Sequence, residues 1–142
     1  MSGKNHTVLI ADDYEADRLF LKEAIRFHAP RLDVVAEVRD GEQVIAYLSG
    51  QGRFADRQEY PLPDLLILDV RMPRMTGIEV VEWLGEHDFP SMKVALLADS
   101  SSMIFRPKAR EMGVRHFYSK FTDELVQMVE TLQAELESGE QG

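Results

Sequence analysis

Short apolar runs alternate with helical patterns five times along this chain, and this alternation most constrains its fold. The runs at residues 7–11 and 65–69 lack polar alternation, as expected of strands that are buried on both faces. Further strands are predicted at residues 32–38, 93–98 and 115–119. Strands that alternate with helices form a parallel sheet with helices on both faces. The predicted fold class is therefore α/β, a doubly wound parallel sheet of five strands with five helices.

The helices are predicted from the spacing of apolar residues. The last helix is the clearest, because its apolar residues recur at helical spacing: Leu125, Met128, Val129, Leu132 and Leu136. In the first helix, Glu15–His28, the predicted apolar face consists of Ala16, Phe20, Ala24 and Phe27. A short helix is predicted after Asp40-Gly41, and Thr76 is predicted to cap the helix that follows the third strand.

Two connections are less regular. A helix is predicted at about residues 103–112, but Pro107 would break it unless the helix begins near that residue. The connection at residues 50–63 is longer than the usual loop of about 4–6 residues. Such loops are either functional or mobile, and the sequence leaves both alternatives open.

The composition excludes several classes of function. The chain has 142 residues, of which 44% are apolar, and this suits one folded domain at residues 1–142. We expect an ordered core at about residues 6–137 and a short flexible C-terminal tail. With no cysteine, the chain has neither disulfides nor thiolate metal sites. A net charge of −9 gives no electrostatic footprint for nucleic acid, and no apolar run approaches a membrane span.

Location and histidine usage give two further expectations. The N-terminus lacks the apolar region of a signal peptide, so the expected location is the cytoplasm. The four histidines, His6, His28, His87 and His116, are far apart and lack the spacing of metal ligands. They are expected to lie on the surface.

Charged side chains follow three of the predicted strands. Asp12 and Asp13 end the first strand, Asp69 ends the third and Lys120 follows the fifth. Ligands bind at the carboxyl ends of strands in open parallel sheets, so these groups converge if the first and third strands are neighbours. Crowded carboxylates repel one another, and Mg²⁺ would relieve the repulsion. The acidic pair, Asp69, the cation and Lys120 together indicate a phosphoryl-transfer site. In this site Asp69 would be the nucleophile, and Lys120 would form an ion pair with the phosphoryl group.

Each of these residues also has a structural explanation when it is considered alone. Asp12 and Asp13 could turn the chain and cap the first helix. Asp69 could do the same after the third strand, and Lys120 could be a solvated surface lysine. Their joint position at three strand ends favours the functional interpretation.

The chain resembles the receiver domains of response regulators over nearly all of its length. The matching segments are VLIADD (8–13), LLILDVRMPRMTG (65–77), KVALLADSSS (93–102) and GVRHFYSK (113–120). The second segment is the most specific, with an aspartate, Met-Pro at the third and fourth positions after it, and glycine at the eighth. The segments YPLPDLLILD and SSS also resemble the small stand-alone receivers that partner phytochrome-type kinases.

This resemblance implies a flavodoxin-like sheet with strand order 2-1-3-4-5. It further implies that Asp69 is the phosphoacceptor and that Lys120 is the lysine of the site. Asp12 and Asp13 match the acidic pair that binds Mg²⁺ with Asp69, and Asp13 is the more direct ligand. The backbone carbonyl of Arg71 matches the third protein ligand of the metal.

The residues that transmit the signal in this family are altered here. Phe117 matches the aromatic residue that changes rotamer on activation, but Ala98 occupies the position of the switch threonine or serine. Asp99 follows it where a small residue is usual, and Phe121 replaces the usual proline. We therefore expect little rearrangement around Phe117 on phosphorylation, or signalling by another route, unless a shift of register gives Ser100 the switch role.

Three functions are compared. The leading one is a single-domain response regulator of a two-component phosphorelay, which accepts phosphate on Asp69 and signals by protein contact rather than acting as an enzyme. The alternative is a receiver-fold binding module that signals without regulated phosphorylation. The third is an aspartyl-phosphate hydrolase, which is disfavoured because such enzymes place an aspartate two residues after the nucleophile, where Arg71 stands.

The expected partners are a sensor histidine kinase or phosphotransfer protein and a downstream protein target. No nucleic acid or membrane partner is expected. A homodimer is left open by the SSSMIF segment, by Phe121 and by the apolar face of the last helix. The same residues could equally belong to the core.

Overall fold

A five-stranded parallel sheet is the centre of the computed structural model, which describes residues 5–121 and 123–139. Its strands are β1 (His6–Ala11), β2 (Leu32–Val38), β3 (Leu65–Asp69), β4 (Lys93–Ala98) and β5 (His116–Ser119). The order is β2-β1-β3-β4-β5, and each neighbouring pair is parallel. The predicted fold class and strand order are confirmed. The end of the predicted flexible tail, residues 140–142, lies outside the described residues.

Five α-helices of the described residues flank the sheet: α1 (Glu15–His28), α2 (Gly41–Ser49), α3 (Gly77–Gly85), α4 (Arg106–Glu111) and α5 (Glu124–Ser138). Asp40 and Thr76 cap α2 and α3, and Thr76 forms a capping box with Glu79. No helix among the described residues is both long and apolar enough to cross a membrane.

The fourth helix begins later than the predicted residue 103. A 3₁₀ segment, Ser100–Phe105, precedes it, and Asp99 caps this segment by accepting a hydrogen bond from the Ser102 N–H at 2.9 Å. Pro107 lies in the first turn of α4, where its missing N–H has no helical partner to lose. The proline therefore fixes the start of the α-helix.

Both faces of the sheet are buried, which explains why the central strands lack polar alternation. In β3, Leu66 and Leu68 pack on the face that is covered by α2, α3 and α4, and Leu65 and Ile67 pack against α1 and α5. Fully burying an aliphatic side chain of this size contributes about 1.5–3 kcal/mol. The apolar face of α5 belongs to this second layer, so it is core and is not free to form a dimer.

The predicted apolar face of α1 is wrong except for Ala24, which is half-buried against the core. The buried residues of this helix are Arg18, Leu21 and Ile25, whereas Phe20 and Phe27 are 56% and 68% exposed. Apolar residues occur on more than one face of this helix, so spacing alone could not decide which face packs against α5.

The long connection at residues 50–63 is ordered by aromatic packing. The rings of Tyr47, Phe54 and Tyr60 contact one another with centroids 5.0–5.9 Å apart. The Arg57 guanidinium donates to the carbonyls of Tyr47, Leu48 and Tyr60. These contacts seat the segment on α2, away from the carboxyl ends of the strands.

The expectation that all four histidines lie on the surface is wrong for His116. Its side chain is buried at the amino end of β5, and its Nε2 lies 3.0 Å from the Glu135 carboxylate of α5. The Lys93 ammonium lies 3.2 Å from the same carboxylate. Burial lowers the pKa of His116, although Glu135 opposes this. The carboxylate supplies the polar partner that a buried imidazole needs.

Candidate functional site

Three carboxylates meet at the carboxyl ends of β1 and β3. Asp12, Asp13 and Asp69 each place one oxygen within 4.8 Å of the others. This follows from the sheet order, because β1 and β3 are neighbours and Ala11 pairs with Leu68 immediately before these residues. Asp12 and Asp69 are buried, and Asp13 is exposed. The structure thus brings together the three carboxylates that the sequence singled out.

The buried ammonium of Lys120 lies among these carboxylates. Its Nζ is 2.6 Å from Asp12, 3.0 Å from Asp69 and 2.8 Å from Asp17. The backbone of Lys120 is held by its N–H, which donates to the Ala98 carbonyl at 2.9 Å. Asp17, in the first turn of α1, was not predicted as part of the site. Its signal in the sequence was an acidic residue one helical turn after the Asp12-Asp13 pair.

Arg18 holds the backbone beneath the acidic pair. Its Nη1 donates to the Asp12 carbonyl at 2.7 Å, and its Nε donates to Glu37 of β2 at 2.9 Å. Only 7% of this arginine is exposed. Its role could not be read from the sequence, because it depends on the pairing of β1 with β2.

A glycine allows α3 to begin against the phosphoacceptor candidate. A Cβ added to Gly77 would lie 2.4 Å from the Asp69 carbonyl oxygen, which is closer than real Cβ atoms approach. The Gly77 N–H also donates to the Val70 carbonyl at 3.0 Å. This close approach explains the glycine eight residues after the aspartate.

Burial and crowding determine the protonation of the site. Burial, together with the charge of Asp12, raises the pKa of Asp69 from 3.8 to about 7, even though Lys120 opposes this. Burial also raises the pKa of Asp12. Burial alone would lower the pKa of Lys120, but hydrogen bonds to Asp12 and Asp17 raise it instead. The site therefore combines a charged ammonium with two carboxyl groups, Asp12 and Asp69, whose affinity for a proton is raised mainly by burial.

The donors present fit a hard divalent cation. Carboxylate oxygens are the ligands that Mg²⁺ takes from proteins, and a cation would offset the burial and the repulsion from Asp12 that together raise the pKa of Asp69. The Arg71 N–H donates to Asp69 Oδ1 at 3.3 Å, so this backbone lies beside the cluster. The carbonyl of Arg71 stays a prediction as a metal ligand.

A cavity of about 340 Å³ opens above the cluster. It is lined by Asp13, Tyr14, Asp17, Asp69, Arg71, Asp99, Lys120 and Phe121. A groove of about 380 Å³ between α1 and α5 is larger but contains none of the clustered carboxylates. The smaller cavity is therefore the one that gives access to Asp69.

The predicted switch residues lie beside the cavity. Ala98 is fully buried at the end of β4, and Phe117 is buried in the layer formed with α4. The central carbon of the Arg106 guanidinium lies 5.6 Å from the centroid of the Phe117 ring, and the guanidinium donates to the Phe117 carbonyl at 3.2 Å. Phe121 is 59% exposed, and Ser100 is exposed at the start of the 3₁₀ segment. The ring of Phe117 is thus already turned inward and held there.

Sequence comparison identifies the protein family of this chain. The model of the response regulator receiver domain matches residues 8–130. A protein-glutamate methylesterase/protein-glutamine glutaminase of Desulfotalea psychrophila is 32% identical over 120 residues, which are 82% of this chain and 29% of that protein. Response regulator Rcp1 of Synechocystis is 26% identical over 100 residues, covering 70% of this chain and 65% of Rcp1. The chain thus spans less than a third of the length of this methylesterase.

Solved structures agree with the fold and with the resemblance to the small receivers that partner phytochrome-type kinases. The phosphorylated cyanobacterial phytochrome response regulator RcpA superposes with a TM-score of 0.75 and 25% identity, covering 92% of this chain and 93% of RcpA. A response regulator in red light signaling of R. palustris superposes with a TM-score of 0.69 and 30% identity, covering 91% and 90% of the two chains. With its family model, sheet order and relatives in agreement, the chain belongs to the response regulator receiver domain family.

Proposed function

We propose that this chain accepts a phosphoryl group on Asp69 from a sensor histidine kinase or phosphotransfer protein and signals by contact with a downstream protein. The observation that carries the proposal is the convergence of Asp12, Asp13, Asp69 and Lys120 at one end of the sheet. Residues 1–142 would act as one receiver domain. Mg²⁺ would be held by Asp13, Asp12 and Asp69 and by the Arg71 carbonyl.

The proposed transfer begins with the Asp69 carboxylate. One of its oxygens attacks phosphorus, a P–O bond forms and the P–N bond to the donor histidine breaks. The electron pair of that bond stays on the imidazole nitrogen, which takes up a proton. Lys120 pairs with the phosphoryl oxygens, and Asp12 and Asp17 hold its ammonium in place. A divalent cation, when bound, neutralises part of the phosphoryl charge.

A binding module that signals without regulated phosphorylation is the second candidate. Two observations favour it. Ala98 offers no hydroxyl to a phosphoryl oxygen, and Phe117 is already inward before any phosphate is bound. In this case the carboxylate cluster would bind a cation but no phosphoryl group.

Binding of beryllofluoride, a phosphoryl mimic, separates the two candidates. Calorimetry with Mg²⁺ and beryllofluoride is expected to show binding to wild type, no binding to Asp69→Asn and at least about tenfold weaker Mg²⁺ binding to Asp13→Ala. The last estimate follows from the loss of one charged ligand at about 1.5–3 kcal/mol. Asp33→Ala, which removes an exposed carboxylate at the amino end of β2, is the matched control and should bind as wild type.

The same titration can contradict the proposal. Wild type that binds Mg²⁺ but no beryllofluoride would support the phosphorylation-independent module. Full Mg²⁺ affinity in Asp13→Ala would show that this residue is not a metal ligand.

A further inference from the structure

The side chain of Arg71 joins the loop after Asp69 to the segment after β4. Its Nε donates to the hydroxyl of Ser102 at 2.9 Å, and Ser102 is fully buried. Asp99 holds the same segment, because its carboxylate accepts from the Ser101 hydroxyl at 2.7 Å and from the Ser102 N–H at 2.9 Å. The Arg71–Ser102 hydrogen bond is therefore a direct link between the phosphoacceptor loop and the Ser100–Phe105 segment.

The same arginine also faces the site. It lines the cavity above Asp69 together with Lys120, and its backbone N–H is 3.3 Å from Asp69 Oδ1. The residue is exposed, so its guanidinium is not confined by packing. The contact with Ser102 uses one of the five N–H donors of the guanidinium. Donors thus remain for a second acceptor in the cavity.

A phosphoryl group on Asp69 is a better acceptor than the Ser102 hydroxyl. It has about two negative charges and three strong acceptor oxygens, and a guanidinium can bind such a group with two parallel hydrogen bonds. A hydrogen bond to a charged group is stronger than one between a guanidinium and a neutral hydroxyl. At the end of β4, the methyl group of Ala98 provides no competing donor.

We propose that Arg71 takes the place of the missing hydroxyl at position 98. In the resting protein Ser102 holds its guanidinium, and after phosphorylation of Asp69 the guanidinium binds the phosphoryl oxygens and releases Ser102. The proposal rests on the proposed function of Asp69. The released segment carries Ile104, which is 75% exposed, so a partner protein could detect its rearrangement without any turn of Phe117.

NMR and calorimetry with Mg²⁺ and beryllofluoride test this exchange in the full chain. In wild type, beryllofluoride should shift the Arg71 side-chain Nε–H resonance and the Ser102 amide resonance. Arg71→Gln should bind beryllofluoride about tenfold more weakly, a change of about 1.4 kcal/mol, and its Ser102 amide should no longer respond. Arg71→Lys should be intermediate, because it keeps the charge but loses the planar fork.

Two controls make the test specific. Arg74→Gln removes a neighbouring positive charge that pairs with Asp40 and does not line the cavity. This variant should bind beryllofluoride as tightly as wild type. Ser102→Ala removes only the resting partner, so its affinity for beryllofluoride should equal or exceed that of wild type.

Three results would overturn the inference. Unchanged affinity together with an unchanged Ser102 response in Arg71→Gln would overturn it and leave the proposed function intact. Affinity loss in Ser102→Ala as large as in Arg71→Gln would show that Ser102 supports the bound arginine instead of releasing it. Wild type that does not bind beryllofluoride would overturn both the inference and the proposed function.

Discussion

Replacing Lys120 with methionine is expected to lower the free energy of unfolding by about 3–5 kcal/mol at about pH 8 without divalent cations. Lys120 is 6% exposed and is the cation that Asp12, Asp17 and Asp69 share at 2.6–3.0 Å. Methionine keeps most of the side-chain volume but leaves three carboxylates close together without a positive charge. Urea unfolding gives the measurement.

Mg²⁺ provides the diagnostic control for this variant. If the carboxylates are a cation site, millimolar Mg²⁺ should restore part of the stability that Lys120→Met loses. Lys93→Met is the matched variant, because Lys93 is equally buried but pairs with Glu135 at the amino end of the strands. Mg²⁺ should not restore its stability. Equal restoration in both variants, or none in Lys120→Met, would contradict a cation site at the cluster.

Asp69→Asn is expected to raise the free energy of unfolding by about 2 kcal/mol at about pH 8 without divalent cations. The pKa of Asp69 rises from 3.8 to about 7 on folding, mainly because of burial. Ionising this carboxyl therefore costs the folded protein up to about 4 kcal/mol more than the unfolded chain. We expect about half of this ceiling to be realised, because asparagine accepts a weaker hydrogen bond from Lys120 than the carboxylate does.

The sign of the pH dependence follows from the raised pKa. Between the two pKa values, 3.8 and about 7, the folded state binds the proton more tightly than the unfolded state. The stability of wild type therefore decreases as the pH rises through this window, relative to a variant that lacks the group. The advantage of Asp69→Asn should be complete above about pH 7 and should fall by about half or more by about pH 5.

Asp99→Asn is the control with the opposite sign. Hydrogen bonds from Ser101 and Ser102 lower the pKa of Asp99, so this substitution should not raise stability at any pH. Mg²⁺ should stabilise wild type more than Asp69→Asn and narrow the gap between them. Asp69→Asn that is less stable than wild type at about pH 8 in chelator would contradict this prediction. It would show that the ion pair with Lys120 stabilises the folded protein by more than burial and repulsion of the Asp69 carboxylate destabilise it.

The strands were predictable because each central strand is a continuous run of apolar residues, which is the pattern expected of a strand that is buried on both faces. Four aliphatic residues followed by Asp69 are typical of a strand that is buried on both faces and ends at a polar edge. The convergence of Asp12, Asp13 and Asp69 then follows from strand order alone. Local rules also predicted the Thr76 cap, and they left a start of α4 near Pro107 as the alternative to a broken helix.

Side-chain partners that depend on tertiary packing were not predictable. Arg18 reaches the Asp12 carbonyl because β2 lies beside β1, and Arg71 reaches Ser102 because the loop after β3 approaches the segment after β4. The buried pair of His116 and Glu135 joins residues 19 positions apart through the packing of α5 on β5. Nothing in the local sequence of any of these residues specifies its partner.

Treatment with acetyl phosphate and Mg²⁺, followed by intact-mass measurement, tests the central claim most directly. Asp69 is the carboxylate that Lys120, Asp12 and Asp13 surround, so one phosphoryl group should be added to wild type and none to Asp69→Asn. Asp99→Asn, which alters another carboxylate of the same cavity, should still be labelled. A phosphoryl group that persists in Asp69→Asn, or an unlabelled wild type, would contradict the account.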